Sequence, residues 1–164
     1  MIFPERFETP AFEYVNYTLM DEVQSRAIWQ ARNHPDIRKY MACPEPFSFE
    51  SHTAFVGSLK TRNDRVYYAV VKGGAVVGSI CLNPYDPVTK TGEMGKYLVP
   101  EYMGRGIGFS MAKEFLDYMF DSGIVKKVVA KTLVTNMRNR HVNAKLGFRE
   151  CGEDATYVYM EKLK

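Results

Sequence analysis

The spacing of apolar positions predicts a chain that alternates between strands and amphipathic helices. Apolar and polar residues alternate in FEYVNYTL (Phe12–Leu19), which is typical of a half-buried strand. Asp21 is then a candidate N-cap for the helical stretch EVQSRAIWQARNH, which Pro35 would end. Ser48 is a second candidate N-cap, for SFESHTAFVGSLKTR, whose apolar residues recur at helical spacing. The first third of the chain is therefore predicted as one strand and two helices.

The second part of the chain begins with the clearest hairpin signal. In RVYYAVVKGGAVVGSICL, two valine-rich runs lie on either side of Lys72-Gly73-Gly74. A turn-rich loop and the strand EMGKYLVP follow, and Pro100 ends that strand. A helix comes next, because four apolar residues lie four positions apart. They are Ile107, Met111, Phe115 and Met119.

The C-terminal part is predicted as a strand, a short helix and a last strand. KKVVAKTLVT is rich in β-branched residues, Asn136 is a candidate N-cap, and Gly147 is suited to end the helix that follows. YVYMEKL is the last strand. This order predicts a mixed α+β domain on one central twisted sheet, in which the unit from Glu93 to Thr135 is parallel and right-handed. We assign residues 12–164 to a single domain and residues 1–11 to an N-terminal extension.

Composition and charge narrow the possible partners. The net charge of +3 permits an anionic ligand without requiring nucleic acid, so no nucleic-acid partner is expected. No apolar run approaches the ~20 residues of a membrane span. The opening MIFPERFETP lacks the apolar centre of a signal peptide, so we expect a cytoplasmic protein with no membrane partner. The 3 histidines are dispersed, so no metal site is expected.

A cluster of glycines lies between the strand that Pro100 ends and the next helix. A P-loop would need Gly-Lys-Ser/Thr where this chain has Gly108-Phe109-Ser110. A dinucleotide-binding loop needs a different glycine spacing and an acid where the next strand ends in Thr135. Two interpretations remain open. The glycines either let a diphosphate reach the N–H groups of a helix start, or only allow close helix packing.

Four segments, in order, resemble one family. GEMGKYLVPEYMGRGIG resembles the strand and loop of the RimJ/RimL type of GNAT acetyltransferase, in which G-E-x-G-x-x-x-x-P precedes Gln/Arg-x-x-Gly-x-Gly/Ala. Met103 occupies the first position of that loop motif. NMRNRHVNAKLGF resembles the family's N-x-x-S/N…K-x-G-F segment, and WQARNHPDIRKYM its first helix and exit. The Arg-Asn-His-Pro stretch is also similar to nucleotide-sugar N-acetyltransferases of the pseudaminic-acid pathway. The resemblance covers the chain from Phe12 onward.

The resemblance implies the GNAT acyl-CoA N-acyltransferase fold, a mostly antiparallel sheet splayed at the cofactor and flanked by about four helices. It also implies transfer of an acetyl group from acetyl-CoA, as co-substrate and without a metal, to a primary amine. A protein N-terminus is the first expected acceptor. A nucleotide amino sugar, another small amine, and a non-catalytic acyl-CoA-binding module remain alternatives. The chain is expected to be a monomer or a homodimer.

Cofactor contacts follow from the same resemblance. Backbone groups of Leu98 and Val99 are expected to hold the pantetheine arm, while Asn136 and Asn139 face the cofactor from the other side. The expected pyrophosphate loop consists of Met103, Gly104, Arg105, Gly106, Ile107, Gly108 and Phe109.

Glu93 is the candidate general base, because it matches the family's acidic position on the strand that leads to the cofactor. Its alternative role is a strand-edge carboxylate that orients substrate or pairs with a lysine. The general acid stays open, since Asn143 occupies the position where many GNAT enzymes carry a tyrosine, and an amide is not an acid at neutral pH. Solvent or another side chain is then the donor, with Tyr97, Tyr157 and Tyr159 as candidates.

The acceptor site has three further candidates, namely His34, His52 and Asn143. The first two helices form the wall of the acceptor cleft in relatives, which favours contact with the two histidines. The alternative for His34 is a helix-exit residue before Pro35, and the alternative for His52 is a surface position.

Overall fold

The computed structural model describes residues 2–164, which form one eight-stranded sheet and five α-helices. The strands are β1 Arg6–Glu8, β2 Glu13–Asn16, β3 Val66–Lys72, β4 Ala75–Asp86, β5 Thr91–Leu98, β6 Lys127–Leu133, β7 Arg149–Glu153 and β8 Tyr157–Leu163. The helices are α1 Glu22–Asn33, α2 Pro35–Arg38, α3 Phe49–Ser58, α4 Ile107–Asp121 and α5 Met137–Lys145. None of the helices in the described residues is long and apolar enough to cross a membrane.

The strand order is β1-β2-β3-β4-β5-β6-β8-β7, and all neighbouring pairs are antiparallel except β5 and β6. This pair confirms that the predicted strand–helix–strand unit is parallel. Thr91–Glu93 pair with Lys127–Val129, and beyond these positions the two strands are no longer hydrogen-bonded to each other. We call the gap between residues 94–98 of β5 and 130–133 of β6 the splay. The mixed α/β class and the splayed, mostly antiparallel sheet are therefore confirmed.

Local signals set several of these elements. The Asp21 side chain accepts the Gln24 N–H at 2.8 Å while Gln24 reaches back to the Asp21 N–H, which forms a capping box at the start of α1. Ser48 caps α3 by accepting the Ser51 N–H at 3.1 Å. Gly73 and Gly74 both have positive φ, as a two-residue β-hairpin with a type I′ turn requires. These predicted caps and the hairpin are confirmed.

The helices pack on both faces of the sheet, because successive strand residues point to opposite sides. α4 buries one continuous stripe against the larger core, and the Tyr14 hydroxyl donates to the Met111 carbonyl at 2.6 Å. The buried residues of α4 are Met111, Ala112, Phe115, Leu116, Met119 and Phe120. A second, smaller core joins α1 to the opposite face through Tyr17, Ile28 and Ala69. The splay therefore opens between two helical layers.

Three elements lie outside the sequence-based prediction. β1 has the pattern Arg-Phe-Glu and is too short to show a periodicity, and β7 is exposed along its whole length. Both are edge strands whose formation depends on pairing with β2 and β8. α2 starts at Pro35, which was predicted only to end α1, so five helices are present where about four were expected.

Candidate active site

The loop between β5 and α4 has the properties of an anion-binding site. Gly106 is the N-cap of α4 with φ of +76°, and no side chain accepts the first N–H groups of the helix. A Cβ atom added at Gly104 or Gly106 would meet nothing within 4 Å. Open space in front of unpartnered N–H groups at the positive end of a helix dipole suits a diphosphate. The loop therefore fits the pyrophosphate of acetyl-CoA.

Gly108 lies against β5. A Cβ atom there would lie 3.5 Å from Leu98 Cδ1, an ordinary van der Waals distance, so the packing of α4 on β5 does not require a glycine at this position. The open space at Gly104 and Gly106 favours the diphosphate interpretation of the glycines, and phosphate binding by the loop stays a prediction.

The other loop residues surround this helix start. Met103 closes a short turn through its N–H, which donates to the Pro100 carbonyl at 3.2 Å. The guanidinium of Arg105 lies 5.8 Å from the Tyr102 ring centroid, on the exposed side of the loop. Ile107 and Phe109 pack against the larger core. The loop is thus anchored at its apolar residues, while Arg105 supplies a positive charge at the surface.

The backbone of β5 presents alternate residues to its two neighbours. The Val99 N–H donates to the Val77 carbonyl at 2.9 Å and is therefore engaged with β4. Because N–H groups alternate along a strand, those of Leu98 and Lys96 face the splay. The predicted pantetheine contacts at Leu98 and Val99 stay a prediction, for which Leu98 has the suitable orientation.

Polar side chains of α5 meet β5 and β6 at the splay. The Asn136 side chain caps α5 by accepting the Asn139 N–H at 3.2 Å. Asn139 Nδ2 donates to Thr132 Oγ1 at 2.9 Å, and Asn143 Nδ2 lies 3.5 Å from the same hydroxyl. Lys96 Nζ donates to the Oδ1 atoms of Asn139 and Asn143, each at 2.7 Å. These contacts form one hydrogen-bonded network from β5 through α5 to β6.

Lys96 is a residue that the sequence analysis missed. Met94, Lys96 and Leu98 alternate along β5 and therefore share one face of the strand. A lysine between two apolar residues on that face was the available sequence signal. Burial lowers the pKa of its ammonium to about 7. Asn143 is only 1% exposed, and it faces this ammonium.

Glu93 is the last residue of β5 that pairs with β6, opposite Val129, so it lies at the mouth of the splay. Burial raises the pKa of its carboxyl group, and the positive charge of Lys131 partly opposes that rise. Glu93 shares a face of β5 with Tyr97, whereas Lys96 lies on the other face. The candidate base is therefore half-buried and adjacent to the splay.

The three candidate tyrosines already contact other side chains of the protein. The Tyr97 hydroxyl lies 3.4 Å from that of Tyr17, which in turn lies 2.5 Å from Ser79 Oγ. Burial raises the pKa of Tyr97 despite these hydrogen bonds. Tyr159 donates to Asp154 Oδ2 at 2.7 Å, and the Tyr157 ring centroid lies 4.7 Å from the Lys131 ammonium.

His34 and His52 have structural contacts. His34 Nδ1 accepts the Asp36 N–H at 3.1 Å and caps α2. His52 is 3% exposed, and its Nε2 lies 3.1 Å from Ser25 Oγ, which ties α3 to α1. Burial lowers the pKa of His52. Their predicted contact with an acceptor stays a prediction.

Two arginines of the α1–α2 segment also escaped the sequence analysis. Among the described residues, Arg32 Nη1 and Arg38 Nε are buried nitrogens that have no hydrogen-bond partner. Arg32 Nη2 donates to the Cys43 carbonyl at 3.1 Å. The positive charge of Arg32 lowers the pKa of Tyr97, although burial and hydrogen bonding have larger effects on that pKa. Arg32 therefore lies on the α1 side of the splay.

Comparisons with known proteins assign the family. The profile of the acetyltransferase (GNAT) domain matches residues 19–149. Acetyltransferase PseH of Campylobacter jejuni subsp. jejuni serotype O:2 is 25% identical over 145 residues, which cover 88% of this chain and 89% of PseH.

In residues 2–164, no group of three or more His, Cys, Asp or Glu side chains is arranged to hold a metal ion.

Solved structures show the same fold. RimL, a ribosomal L7/L12 alpha-N-protein acetyltransferase solved with coenzyme A, has a TM-score of 0.83 at 18% identity, over 97% of this chain and 98% of its own. The microcin C7 self-immunity acetyltransferase MccE, solved with acetyl-CoA and AMP, has a TM-score of 0.82 at 17% identity, over 99% and 98%. Acetyl-CoA is the co-substrate that these comparisons and the loop before α4 support together. The chain therefore belongs to the GNAT acetyltransferase family.

Proposed function

We propose that this acetyltransferase acts on the amine of a nucleotide-linked amino sugar. The observation that carries the proposal is the pair of unpartnered guanidinium nitrogens, Arg32 Nη1 and Arg38 Nε. A buried donor without a partner costs ~1–3 kcal/mol, and phosphate oxygens are strong acceptors for arginine. An acceptor that carries phosphates would satisfy both groups.

The position of Arg32 supports an acceptor role. Arg32 lies close enough to Tyr97 for its charge to influence that phenol, and Tyr97 is on the part of β5 that borders the splay. Arg32 begins the Arg-Asn-His-Pro stretch, which is similar to nucleotide-sugar N-acetyltransferases, and Arg38 follows that stretch in α2. The alignment with PseH over 88% of this chain supports the proposal, as does MccE, which has a similar fold and was solved with acetyl-CoA and AMP.

The residues of this chain have separable tasks in such a reaction. The N–H groups at the start of α4 bind the diphosphate of acetyl-CoA, and the Leu98 backbone aligns its pantetheine arm. Arg32 and Arg38 orient the acceptor by its phosphates. Glu93 takes the proton that the attacking amine loses, directly or through a water molecule. Acetyl-CoA supplies the acetyl group and its thiol is the leaving group.

The test is a panel of acceptors read by thiol release, comparing nucleotide-linked amino sugars with free amino sugars and peptides. Arg32→Met and Arg38→Met should each raise KM for the nucleotide-linked amine about 10- to 100-fold, since a charge-assisted hydrogen bond contributes ~1.5–3 kcal/mol. KM for acetyl-CoA should stay unchanged. Arg149→Met, on the exposed strand β7, is the matched control. Turnover of peptides alone, unaffected by both substitutions, would contradict the proposal.

A protein N-terminus is the second candidate acceptor. It is favoured by the similarity to RimL, whose described substrate is a ribosomal protein α-amine and whose fold covers 97% of this chain. Peptides that differ only in their first residues are the appropriate substrates for this part of the panel. Turnover that requires a free α-amine and does not respond to phosphate groups would support this candidate.

A further inference from the structure

We propose that the ammonium of Lys96 donates the proton to the thiolate that leaves when the acetyl group is transferred. The proposal concerns acetyl transfer itself and does not depend on which amine is the acceptor. It gives this chain a general acid at the point where Asn143 stands in the tyrosine position.

The geometry places Lys96 in the splay. The residue lies three positions beyond Glu93, where pairing of β5 with β6 ends. Its Nζ donates to Oδ1 of Asn139 and of Asn143 at 2.7 Å each. Both amides extend to Thr132 on β6. The ammonium is therefore held between the separated strands by α5.

The charge of Lys96 has no acidic partner. Within residues 2–164, none of the carboxylates lies within 4.0 Å of its Nζ atom. An ammonium has three N–H donors, and two of them meet the amide oxygens of Asn139 and Asn143. The third N–H is available to an anion that enters the splay. A thiolate is the anion that acetyl transfer produces there.

The candidate base and the candidate acid lie on opposite faces of one strand. Side chains alternate along β5, so Glu93 points to the α1 side and Lys96 to the α5 side. With the acetyl-CoA thioester between β5 and β6, the amine would approach from one face of the sheet, and the proton donor would lie on the other face. This arrangement separates the two proton transfers in space.

The step balances without any further reactant. The amine nitrogen forms a bond to the thioester carbon, and the C–S bond breaks with its electron pair on sulfur. An N–H proton of Lys96 moves to that sulfur, which gives CoA thiol and a neutral lysine. The proton lost by the acceptor nitrogen goes to Glu93 and then to water, and the lysine regains a proton from water. No oxidation or reduction occurs.

The pH dependence has a definite sign. A donor must be protonated, so activity should fall as the pH rises through the pKa of Lys96, which burial lowers to about 7. Nζ is hydrogen-bonded to the amides of Asn139 and Asn143 on α5, and Asn139 donates in turn to the Thr132 hydroxyl on β6; none of these groups titrates in this range. The change on the alkaline side therefore belongs to Lys96.

A measurement that needs no turnover tests the contact with sulfur. The protein carries lysine labelled with ¹³C at the ε-carbon, and the Lys96 signal is assigned by its loss in Lys96→Met. We expect this signal to titrate near pH 7 and to shift on addition of CoA but not of desulfo-CoA, which lacks the sulfur atom. Equal shifts with both ligands, or none, would overturn the proposal even if no acceptor is ever found.

Kinetics provide the second test. Lys96→Met and Lys96→Arg should both lower kcat about 10²- to 10⁴-fold with little change in the Kd for acetyl-CoA. Arginine keeps the positive charge and the hydrogen bonds but does not release its proton. Lys126→Met, at an exposed position, is the control. Near-normal activity of Lys96→Arg would mean that Lys96 only bridges the splay.

Discussion

Individual side chains acquire their roles in this site from the face of β5 on which they lie. Glu93 and Tyr97 share one face, and Met94, Lys96 and Leu98 share the other. Glu93 was identified from its motif, but its partial burial and its position at the last paired residue came from the structure. The network of Lys96 with α5 joins residues 43 and 47 positions apart, which no local pattern encodes.

Glu93→Gln tests the candidate base at this scale. We expect kcat to fall about 10²- to 10⁴-fold, because an amide cannot accept the proton, while the affinity for acetyl-CoA stays nearly unchanged. Burial raises the pKa of Glu93, so wild-type activity should decline as the pH falls through a value above the usual range of a glutamate. Steady-state rates as a function of pH, with calorimetric binding of acetyl-CoA, measure both effects.

Glu153→Gln on the exposed strand β7 is the matched control and should leave the pH profile unchanged. If Glu93→Gln retains wild-type rates across the same pH range, Glu93 has the positioning role instead.

At the scale of elements, the glycines at the start of α4 have different surroundings. Gly104 and Gly106 border open space with positive φ, and Gly108 lies against Leu98. Except for β1, α2 and β7, the order of elements was read correctly from periodicity, and the caps Asp21 and Ser48 from their residue types, since both signals are local. The surroundings of each glycine could not be read in this way, because they depend on what lies in front of its Cα atom.

Gly106→Ala tests the anion site. The new methyl group would occupy the space in front of the α4 N–H groups, so the affinity for CoA should fall about tenfold or more. Isothermal titration with CoA measures this loss.

Backbone strain alone must be separated from that effect. Gly123 has φ of +75° and equally open surroundings at the other end of α4, so Gly123→Ala imposes similar strain away from the loop. Both variants should lose comparable stability, ~1 kcal/mol, but only Gly106→Ala should lose CoA affinity. Equal affinity in the two variants would exclude the diphosphate role of this loop.

At the scale of the whole molecule, the first residues contribute to the core. β1 pairs with β2 at Phe7↔Tyr14, and the Phe7 ring stacks on Tyr14 and Tyr118 with centroids 4.5 Å and 3.9 Å apart. Phe3 packs edge-on against Tyr85. The proposed boundary at residue 12 stays a prediction, and these contacts define how to test it.

Phe7→Ala should lower the free energy of unfolding by ~3–5 kcal/mol, because it removes a buried ring from a stacked cluster. Chemical denaturation of the full chain measures the loss. Val88→Ala, at a side chain that is 89% exposed, should change stability by no more than ~0.5 kcal/mol. A chain that begins at residue 12 and unfolds at the wild-type denaturant concentration would show that the domain does not need β1.

The sequence by itself determined the order of the elements other than β1, α2 and β7, several of their caps, the glycine loop and the family. These features are encoded locally, by periods of two and 3.6 residues, by cap residues such as Asp21, and by motifs of adjacent residues. The resemblance then supplied Glu93 and the acetyl-CoA loop as candidates.

Only the tertiary structure decided which residues meet at the splay. β1 and β7 form because partners are present, and the partly buried ammonium of Lys96 meets Asn143 because α5 lies against β5 where β5 and β6 separate. Arg32 Nη1 and Arg38 Nε are buried without gaining a hydrogen-bond partner. These properties depend on burial and on the distances between residues that are far apart in the chain. Neither quantity can be read from the local sequence.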